Sequence, residues 1–381
     1  MKKNILLIVV VLLILSSIYY LEGVKPGRYQ TSDDSVAVAN ETDHVADAVT
    51  LEQKAKMYSF AREITDPSGY LNTNGEPITL SQFVGNKIVL LDIWTYSCIN
   101  CQRTLPYINA WYDKYQNYGL EIIGIHSPEF EFEKDINNVR EATERFGVRH
   151  PVVLDNDFGT WRAYGNRYWP RKYLIDIDGF VTYDHIGEGD YDATEMKIQA
   201  LLKERAARLG LDPSVIPGGV VEPSDVITRS EGKISPEVYF GSKRNFTLAN
   251  GSPGQIGVQT FSRPATVETD ALYLTGEWDI QPEFAKSTSA GSTILYRYQA
   301  KDVYMVLSGP PGAGSVDVLV KIDGKVITPA MAGADVNENG MVTVSKERLY
   351  KLVADDNNLT PHTLELEAQD AGLNAFTFTF G

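Results

Sequence analysis

The chain has 381 residues, of which 43% are hydrophobic and 22% charged, and its formal net charge is −15. This composition is that of a globular protein and excludes an intrinsically disordered chain, and the acidic balance argues against nucleic acid as a partner because phosphate backbones are repelled. Since domains usually contain roughly 100–200 residues, the length predicts two folded domains and a tail.

The N-terminus carries the pattern of an export signal. Lys2 and Lys3 precede an apolar run at 5–15, which continues less purely to Leu21. We predict that residues 1–21 form an uncleaved signal anchor, in preference to a cleaved signal. The positive charges before the run predict that the soluble part lies outside the cytoplasm, on the periplasmic or extracellular face of the cell envelope. Residues 22–55 have no apolar period and predict a flexible tether.

Residues 56–210 alternate between strand and helix patterns, as expected of an α/β domain. Two nearly continuous apolar runs, at 87–94 and 120–125, predict strands that are buried on both faces of a sheet. The segment 98–118 between them predicts a crossover helix. Further strands are predicted at 151–154, 171–177 and 180–183, with a turn at 178–179, and further helices at 133–147 and 193–209.

The C-terminal part of the chain predicts an all-β domain. Proline and glycine are concentrated at 211–235, which predicts a linker. Short strand patterns follow over 236–381 and predict a β-sandwich of jelly-roll type, with Asp323-Gly324 as a hairpin turn. The predicted strands lie at 271–274, 293–298, 303–307, 316–322, 363–367 and 375–380.

Cys98 and Cys101 are the two cysteines of the chain, and two residues separate them. A structural disulfide is the weaker alternative, because closing so short a loop removes little entropy from the unfolded chain. Zinc would need more Cys or His ligands nearby, and the five histidines are scattered along the sequence. The redox chemistry of a dithiol is therefore the favoured interpretation.

The positions of the two cysteines indicate different roles. Cys98 follows a buried strand and begins a helix, so its sulfur would face free backbone N–H groups and the positive end of the helix dipole, which favour a thiolate. Cys101 lies one turn further along the helix and should be more buried. We expect Cys98 to attack a partner disulfide and Cys101 to resolve the mixed disulfide.

The surroundings of the cysteines resemble a known family. The run Asp92-Ile-Trp94-Thr-Tyr-Ser-Cys98-Ile-Asn-Cys101 and the segments 103–106, 124–130 and 168–176 are similar to the redoxin domains of the TlpA and DipZ type, which work in the bacterial envelope. The resemblance covers about residues 56–210. It implies a thioredoxin-like fold and thiol–disulfide oxidoreductase activity, with the redox-active Cys98–Cys101 disulfide and no separate cofactor.

The resemblance also implies roles for four more residues. Asp92 matches the family's buried acid, which helps to move the proton of Cys101; the alternative is a strand-end carboxylate that faces water. Trp94 matches an aromatic residue beneath the site, although a pure core role fits nearly as well. Pro170 matches the cis-proline that faces the disulfide, and the backbone of Trp169 would pair with the partner's chain. The alternative for Pro170 is an ordinary trans proline at the edge of a strand.

The residues between the cysteines depart from ordinary thioredoxin. Ile99 and Asn100 stand where thioredoxin has Gly-Pro, and this dipeptide tunes the redox potential. His126 and Glu129 follow the second strand and could lie near the site, but a structural role is favoured for both.

The resemblance implies particular partners. A dithiol reductase of this type would act on disulfides of exported proteins, with apocytochrome c as one candidate. It would receive electrons from a membrane carrier of the CcdA type, here a separate protein, and would reach the membrane through its N-terminal helix. The chemistry of the cysteine pair by itself is equally consistent with an oxidase that uses the same residues.

The β-domain resembles the carbohydrate-binding-like module of DipZ-type proteins, so carbohydrate is a candidate ligand. Aromatic side chains could stack on sugars, but a core role is favoured because alternating aromatics in strands are usually buried. The residues concerned are Trp278, Tyr273, Tyr296, Tyr298 and Tyr304.

Two other classes of function compete with the oxidoreductase. A thiol peroxidase is suggested by Thr95, three residues before Cys98, but such sites have a proline where this chain has Leu91. The second alternative is a binding protein whose β-domain carries the function and whose Cys98–Cys101 pair is vestigial.

Overall fold

The computed structural model describes residues 51–228, 232, 234–312, 314–355 and 360–381. The predicted anchor, residues 1–21, and most of the predicted tether lie outside the described residues. Within the described ranges, no helix is both long and apolar enough to cross a membrane.

The N-terminal domain has a seven-stranded sheet in the order β1-β7-β6-β3-β4-β5-β2. Its strands are β1 Ser59–Phe60, β2 Gly69–Leu71, β3 Ile88–Trp94, β4 Leu120–His126, β5 Val152–Leu154, β6 Arg171–Ile175 and β7 Phe180–Ile186. Its helices are α1 Leu51–Met57, α2 Ile99–Tyr115, α3 Ile136–Arg145, α4 Gly159–Ala163 and α5 Tyr191–Arg208, with single 3₁₀ turns at Gln116–Tyr118, Glu131–Lys134 and Pro213–Val215. Strands β3, β4 and β5 are parallel, and β6 pairs antiparallel with β3.

The two central strands follow from the apolar runs of the sequence. Every residue of β3 and β4 is buried, because helices and loops cover both faces of the sheet. Alternate residues enter opposite cores: Val89 and Leu91 join the cluster on one face, whereas Ile88 and Leu90 pack against α2 and α5 on the other. The predicted thioredoxin-like α/β arrangement is confirmed.

The folded domain begins earlier than the sequence predicted. Residues 51–55, assigned to the tether, belong to α1, in which Lys54 is buried. Its ammonium group lies 2.7 Å from Asp176, 2.8 Å from Asp178 and 2.5 Å from Glu204. Among the residues that the structure describes, these three carboxylates are the one group close enough together to hold a metal ion, and the Lys54 ammonium group already contacts all three.

The segment predicted as a linker is packed on the N-terminal domain along much of its length. Ile216 is buried in the cluster around α2 and α5. The Val221 amide donates to Glu195 at 2.7 Å, and Lys114 donates to the Gly219 carbonyl at 2.8 Å. Proline and glycine here shape a chain that adheres to the domain surface instead of a free spacer.

The C-terminal domain is a twelve-stranded antiparallel sheet that curls around one core. The main path is β15-β14-β18-β12-β10-β11-β19-β13-β17, with β16 on β14, β8 on β19 and β9 on β10. The strands are β8 Val238–Tyr239, β9 Gly257–Phe261, β10 Leu272–Ile280, β11 Ala285–Ser287, β12 Thr293–Tyr298, β13 Asp302–Ser308, β14 Val316–Ile322, β15 Lys325–Val326, β16 Met341–Val344, β17 Arg348–Ala354, β18 His362–Ala368 and β19 Asn374–Phe380.

The C-terminal domain is all-β, as predicted, and its strands form one curled sheet with two halves. Strand β10 joins the two halves, since its residues 272–275 pair with β12 and its residues 278–280 pair with β11. The predicted hairpin is present between β14 and β15, where Asp323 and Gly324 both have positive φ, as a tight two-residue turn requires. The aromatic residues considered for sugar stacking are all buried, so the core interpretation is confirmed for Trp278, Tyr273, Tyr296, Tyr298 and Tyr304.

An apolar cluster joins the two domains. Phe376 of β19 packs edge-on against Phe130 and Phe132, with ring centroids 5.2 and 4.9 Å apart. Ile99, the first residue of α2, is buried in the same cluster with Leu349. The β-domain therefore packs directly on the turn that carries the cysteines.

We predict that Phe376→Ala lowers the free energy of unfolding by about 3–5 kcal/mol, because it leaves a cavity in the cluster that joins the domains. The matched control is Phe246→Ala, since Phe246 is 76% exposed, and its effect should stay within about 0.5 kcal/mol. Both values come from guanidinium unfolding of the full-length chain. Similar values for the two variants would contradict a shared core at the interface.

Candidate active site

The two cysteines lie where β3 ends and α2 begins. Cys98 is the N-cap residue of α2, with φ −78° and ψ 121°, so the backbone turns from strand to helix at its sulfur. Cys98 is half-buried and Cys101 is 1% exposed, as the sequence predicted. Both are free thiols, so the structure represents the dithiol form. Only Cys98 is placed to meet a partner.

The Cys101 thiol is held in its protonated form by its surroundings. Burial raises the pKa of Cys101 well above its ordinary value, and the hydrogen bond with Cys98 and the charge of Asp92 raise it further. A backbone hydrogen bond with Thr95 opposes these effects. Since only a thiolate can attack a disulfide, Cys101 needs a base before it can resolve a mixed disulfide.

Asp92 is the residue predicted to act as that base, and its role remains a prediction. It lies on β3, is 1% exposed and has no hydrogen-bond partner for Oδ1 in the described part of the chain. Burial raises the pKa of Asp92 to about 6, and the charge of Lys172 opposes that shift. The alternative of a carboxylate that faces water is therefore wrong. A carboxyl group with this pKa exchanges a proton near neutral pH.

Lys172 is a residue of the site that the sequence analysis missed. It lies directly opposite Asp92 in the pairing of β3 with β6 and is fully buried. Its ammonium group donates to the Gly187 carbonyl at 3.1 Å. Burial lowers the pKa of Lys172, whereas the charges of Asp92 and Cys101 oppose this. The available signal was a buried-strand pattern after Pro170 that contains Lys172.

The three residues predicted to contact substrate surround the cysteines. Trp94 is fully buried in a cluster with Cys101, beneath the site. The indole of Trp169 donates to the Ser127 carbonyl at 2.9 Å, and Trp169 lines the same cavity as Cys98. The Trp169–Pro170 peptide bond is cis. Contact with a substrate remains a prediction for all three.

His126 and Glu129 have different surroundings. His126 is fully buried between the rings of Trp94 and Tyr96, at centroid distances of 5.2 and 5.7 Å. Burial lowers the pKa of His126 to about 3, so it is neutral and structural. Glu129 instead lines the cavity at Cys98.

Glu133 is a second residue that the sequence analysis missed. Its buried carboxylate accepts hydrogen bonds from the Ser97 hydroxyl at 2.6 Å and from the Phe130 amide at 3.0 Å. Burial raises the pKa of Glu133 to about 6, and the Ser97 hydrogen bond opposes the shift. The carboxylate ties the residue before Cys98 to the loop after β4, and so fixes the turn that presents the cysteine.

A cavity of about 650 Å³ opens at Cys98 between the two domains. Its α/β side is formed by α2 and by the residues at 167–169 and 186–188. Its β-domain side is formed by residues 234–237, Tyr239 and Arg244. Volumes of this size are typical of binding sites. The reactive cysteine therefore faces a cleft built by both domains.

Comparison with known proteins finds family matches in both halves of the chain. The AhpC/TSA family matches residues 53–184, and the family described as "Thioredoxin like C-terminal domain" matches residues 235–381. Protein DipZ of Mycobacterium tuberculosis is 36% identical over 322 residues, which is 84% of this chain and 43% of DipZ. The chain thus spans less than half the length of that relative.

Shorter relatives match the N-terminal domain. Thiol-disulfide oxidoreductase ResA of Bacillus thuringiensis is 32% identical over 34% of this chain and 69% of its own. Thiol-disulfide oxidoreductase YkuV of Bacillus subtilis is 29% identical over 37% of this chain and 93% of its own.

A cysteine pair at the start of a helix, above a buried acid on a mixed sheet, defines a thioredoxin-like dithiol protein. The chain belongs to the TlpA/DipZ-like redoxins, a family of thiol–disulfide oxidoreductases.

We predict that Asp92→Asn slows the resolving step by about 10²-fold, because Cys101 loses its base. In the wild-type chain the rate of this step should rise as pH passes through about 6, where Asp92 loses its proton. The variant should lack that rise. The measurement is acid-quenched mass spectrometry of the Cys98–glutathione mixed disulfide as it decays.

Lys172→Met is the control for the electrostatic part of this prediction. Because Lys172 lowers the pKa of Asp92, its removal should move the rise in rate to higher pH without abolishing it. An unchanged pH profile in both variants would refute the assignment of Asp92 as the base.

Proposed function

We propose that this oxidoreductase works outside the cytoplasm as a dithiol reductase of exported proteins. The observation that carries the proposal is the difference in burial between Cys98 and Cys101. Cys98 opens into the cleft, while Cys101 lies behind it above the buried Asp92. This order separates the attacking sulfur from the resolving one.

The reaction balances as two successive thiol–disulfide exchanges. The Cys98 thiolate attacks one sulfur of the partner's disulfide, and the other sulfur leaves as a thiolate and takes up a proton. Cys101 then passes its proton to Asp92 and attacks the Cys98 sulfur. The partner's second sulfur leaves as a thiolate and takes up a proton. The partner has gained two electrons, and the protein holds the Cys98–Cys101 disulfide.

The residues between the cysteines favour a reducing couple. A strong oxidant is one whose thiolate form is specially stabilised. Here Ile99 is apolar and buried, and Asn100 is uncharged, so neither residue adds a positive charge beside the Cys98 thiolate. The apolar run at 5–15, behind Lys2 and Lys3, supports a place at the outer face of the membrane.

The electron supply and the targets follow from this location. Disulfides persist outside the cytoplasm, where the oxidised Cys98–Cys101 pair would need a dithiol donor. We propose a membrane carrier of the CcdA type as that donor. Disulfides of exported proteins, with apocytochrome c as one candidate, are the proposed substrates.

The first test is the reduction potential of the Cys98–Cys101 couple in the full-length chain, equilibrated against dithiothreitol or glutathione. We expect a value near or below roughly −250 mV, since a reductase must hold electrons that its partners accept. A value near roughly −120 mV would reverse the proposed direction and indicate an oxidase.

We also predict opposite phenotypes for the two cysteine variants. Cys98→Ser should abolish reduction of a protein disulfide, whereas Cys101→Ser should accumulate a covalent mixed disulfide through Cys98 because nothing resolves it. Non-reducing electrophoresis separates the two outcomes. Full function of Cys98→Ser would favour the β-domain as the functional part, and peroxide consumption faster than disulfide exchange would favour a thiol peroxidase.

A further inference from the structure

The cleft at Cys98 has a second wall that a lone thioredoxin-like domain does not have. On the α/β side lie Tyr168 and Trp169, beside the segment 186–188. Facing them across the cavity lies the segment 234–237, which leads into β8 of the C-terminal domain. A partner that reaches Cys98 therefore has to enter between the two domains.

The second wall is fixed to the body of the β-domain. The Ser235 amide donates to the Gln299 carbonyl at 2.9 Å, and the Gln299 amide donates to the Ser235 hydroxyl at 3.0 Å. The Ser235 hydroxyl also donates to Asp270. Ser235 itself is buried, so the neighbouring Pro236 and Glu237 are left as the exposed surface of the wall.

The β-domain is in turn fixed to the cysteine-bearing domain on both sides of the cleft. Glu129 accepts hydrogen bonds from Arg244 at 2.7 Å and from the Tyr239 hydroxyl at 2.9 Å, at the edge of the cavity. Ile99, next to Cys98 in sequence, is 1% exposed because the interdomain cluster covers it. The flank of α2 that would otherwise be open surface is thus closed.

We infer that this cleft selects an extended polypeptide segment that carries a disulfide and excludes a folded domain that carries the same disulfide on its surface. The inference rests on the proposed function and specifies its substrate class. A cavity of about 650 Å³ accepts a short stretch of chain. A folded partner would have to bring a broad matching surface up to the cysteine, since even weak redox encounters bury on the order of several hundred Å² per partner. Residues 234–237 line the cavity beside Cys98 and would obstruct such a surface.

The main chain of an extended substrate has a natural place in the cleft. Residue 169 precedes β6, which is itself paired on both sides with β3 and β7. A chain laid beside residue 169 would use main-chain hydrogen bonds, which are indifferent to sequence. Two ion pairs lie at the cavity, Glu129 with Arg244 and Arg103 with Glu188. The Nε and Nη2 atoms of Arg103 have no hydrogen-bond partner among the described residues. The main-chain pairing at residue 169 would recognise an extended chain without requiring a particular side chain.

The test compares one mixed disulfide in three settings with the reduced full-length chain. Glutathione is attached to the single cysteine of a short unstructured peptide, to a single surface cysteine of a folded protein, or to a second glutathione. We expect the peptide to react at least about tenfold faster than the folded protein, a difference of about 1.4 kcal/mol in activation free energy. Equal rates on the peptide and the folded protein would overturn the inference, while the proposed reductase activity would stand.

The variant Pro236→Trp narrows the cleft from the β-domain side. It should lower the ratio of the peptide rate to the glutathione disulfide rate at least about tenfold, because narrowing the cleft hinders the longer chain more than the small disulfide. The matched control is Pro329→Trp, an equally exposed proline of the β-domain that is not part of the cleft. It should change neither rate.

Ile186→Trp provides the same test from the opposite wall if the first variant fails to fold. Ile186 is 50% exposed and lines the cleft, so the larger side chain can be accommodated without disturbing a core. It should reproduce the selective loss with the peptide. An unchanged peptide rate in a folded cleft variant would show that partners approach Cys98 by another route. If the wild-type chain showed no reaction with any of the three disulfides and no reversible Cys98–Cys101 couple, the proposed function itself would be contradicted.

Discussion

The pairing of Asp92 with Lys172 beneath Cys101 is the constraint on which the site depends. Both groups are removed from water, and transferring a charge into a protein interior costs several kcal/mol unless a partner compensates it. Each group opposes the pKa shift that burial imposes on the other. The residual shift leaves Asp92 with a pKa of about 6, where it can both accept and return a proton. The sheet supplies this arrangement, because the register of β3 with β6 places the two residues opposite one another.

A second constraint acts on the dipeptide between the cysteines. In a lone thioredoxin-like domain this dipeptide can be chosen for its effect on the redox potential alone. Here Ile99 belongs to the apolar cluster shared with Phe376 and Leu349, so its size and polarity are also fixed by packing. A polar or much smaller residue would leave a cavity or an unsatisfied group at the domain boundary. The side chain of Ile99 therefore contributes both to the tuning of the redox potential and to the packing between the two domains.

The sequence patterns predicted those helices and strands that depend mainly on residues close together in the chain. The apolar runs located β3 and β4, and the position of Cys98 after a strand located the start of α2. The resemblance to the family supplied Asp92 by its distance from Cys98. These inferences need no knowledge of which distant segments meet.

The missed features depend on contacts between distant segments. Lys172 lies opposite Asp92 only because of the register between β3 and β6. The sequence of β6 by itself indicates no role for this lysine. The helix at 51–57 is fixed by Lys54, whose three carboxylate partners lie more than a hundred residues away. The curl of the β-domain depends on β10 pairing with different strands along its length. None of these pairings leaves a periodic trace in the sequence.

The geometry of the cleft changes how the β-domain should be understood. From sequence, a redox domain and a binding domain were alternative carriers of the function. In the structure, residues 234–237 of one and Cys98 of the other line the same cavity, and the Arg244–Glu129 pair holds them together. A change in the β-domain wall would therefore alter which disulfides are reduced without touching a sulfur atom. In the proposed function the chemistry belongs to the cysteine pair, and in the further inference the surface facing it selects the partner.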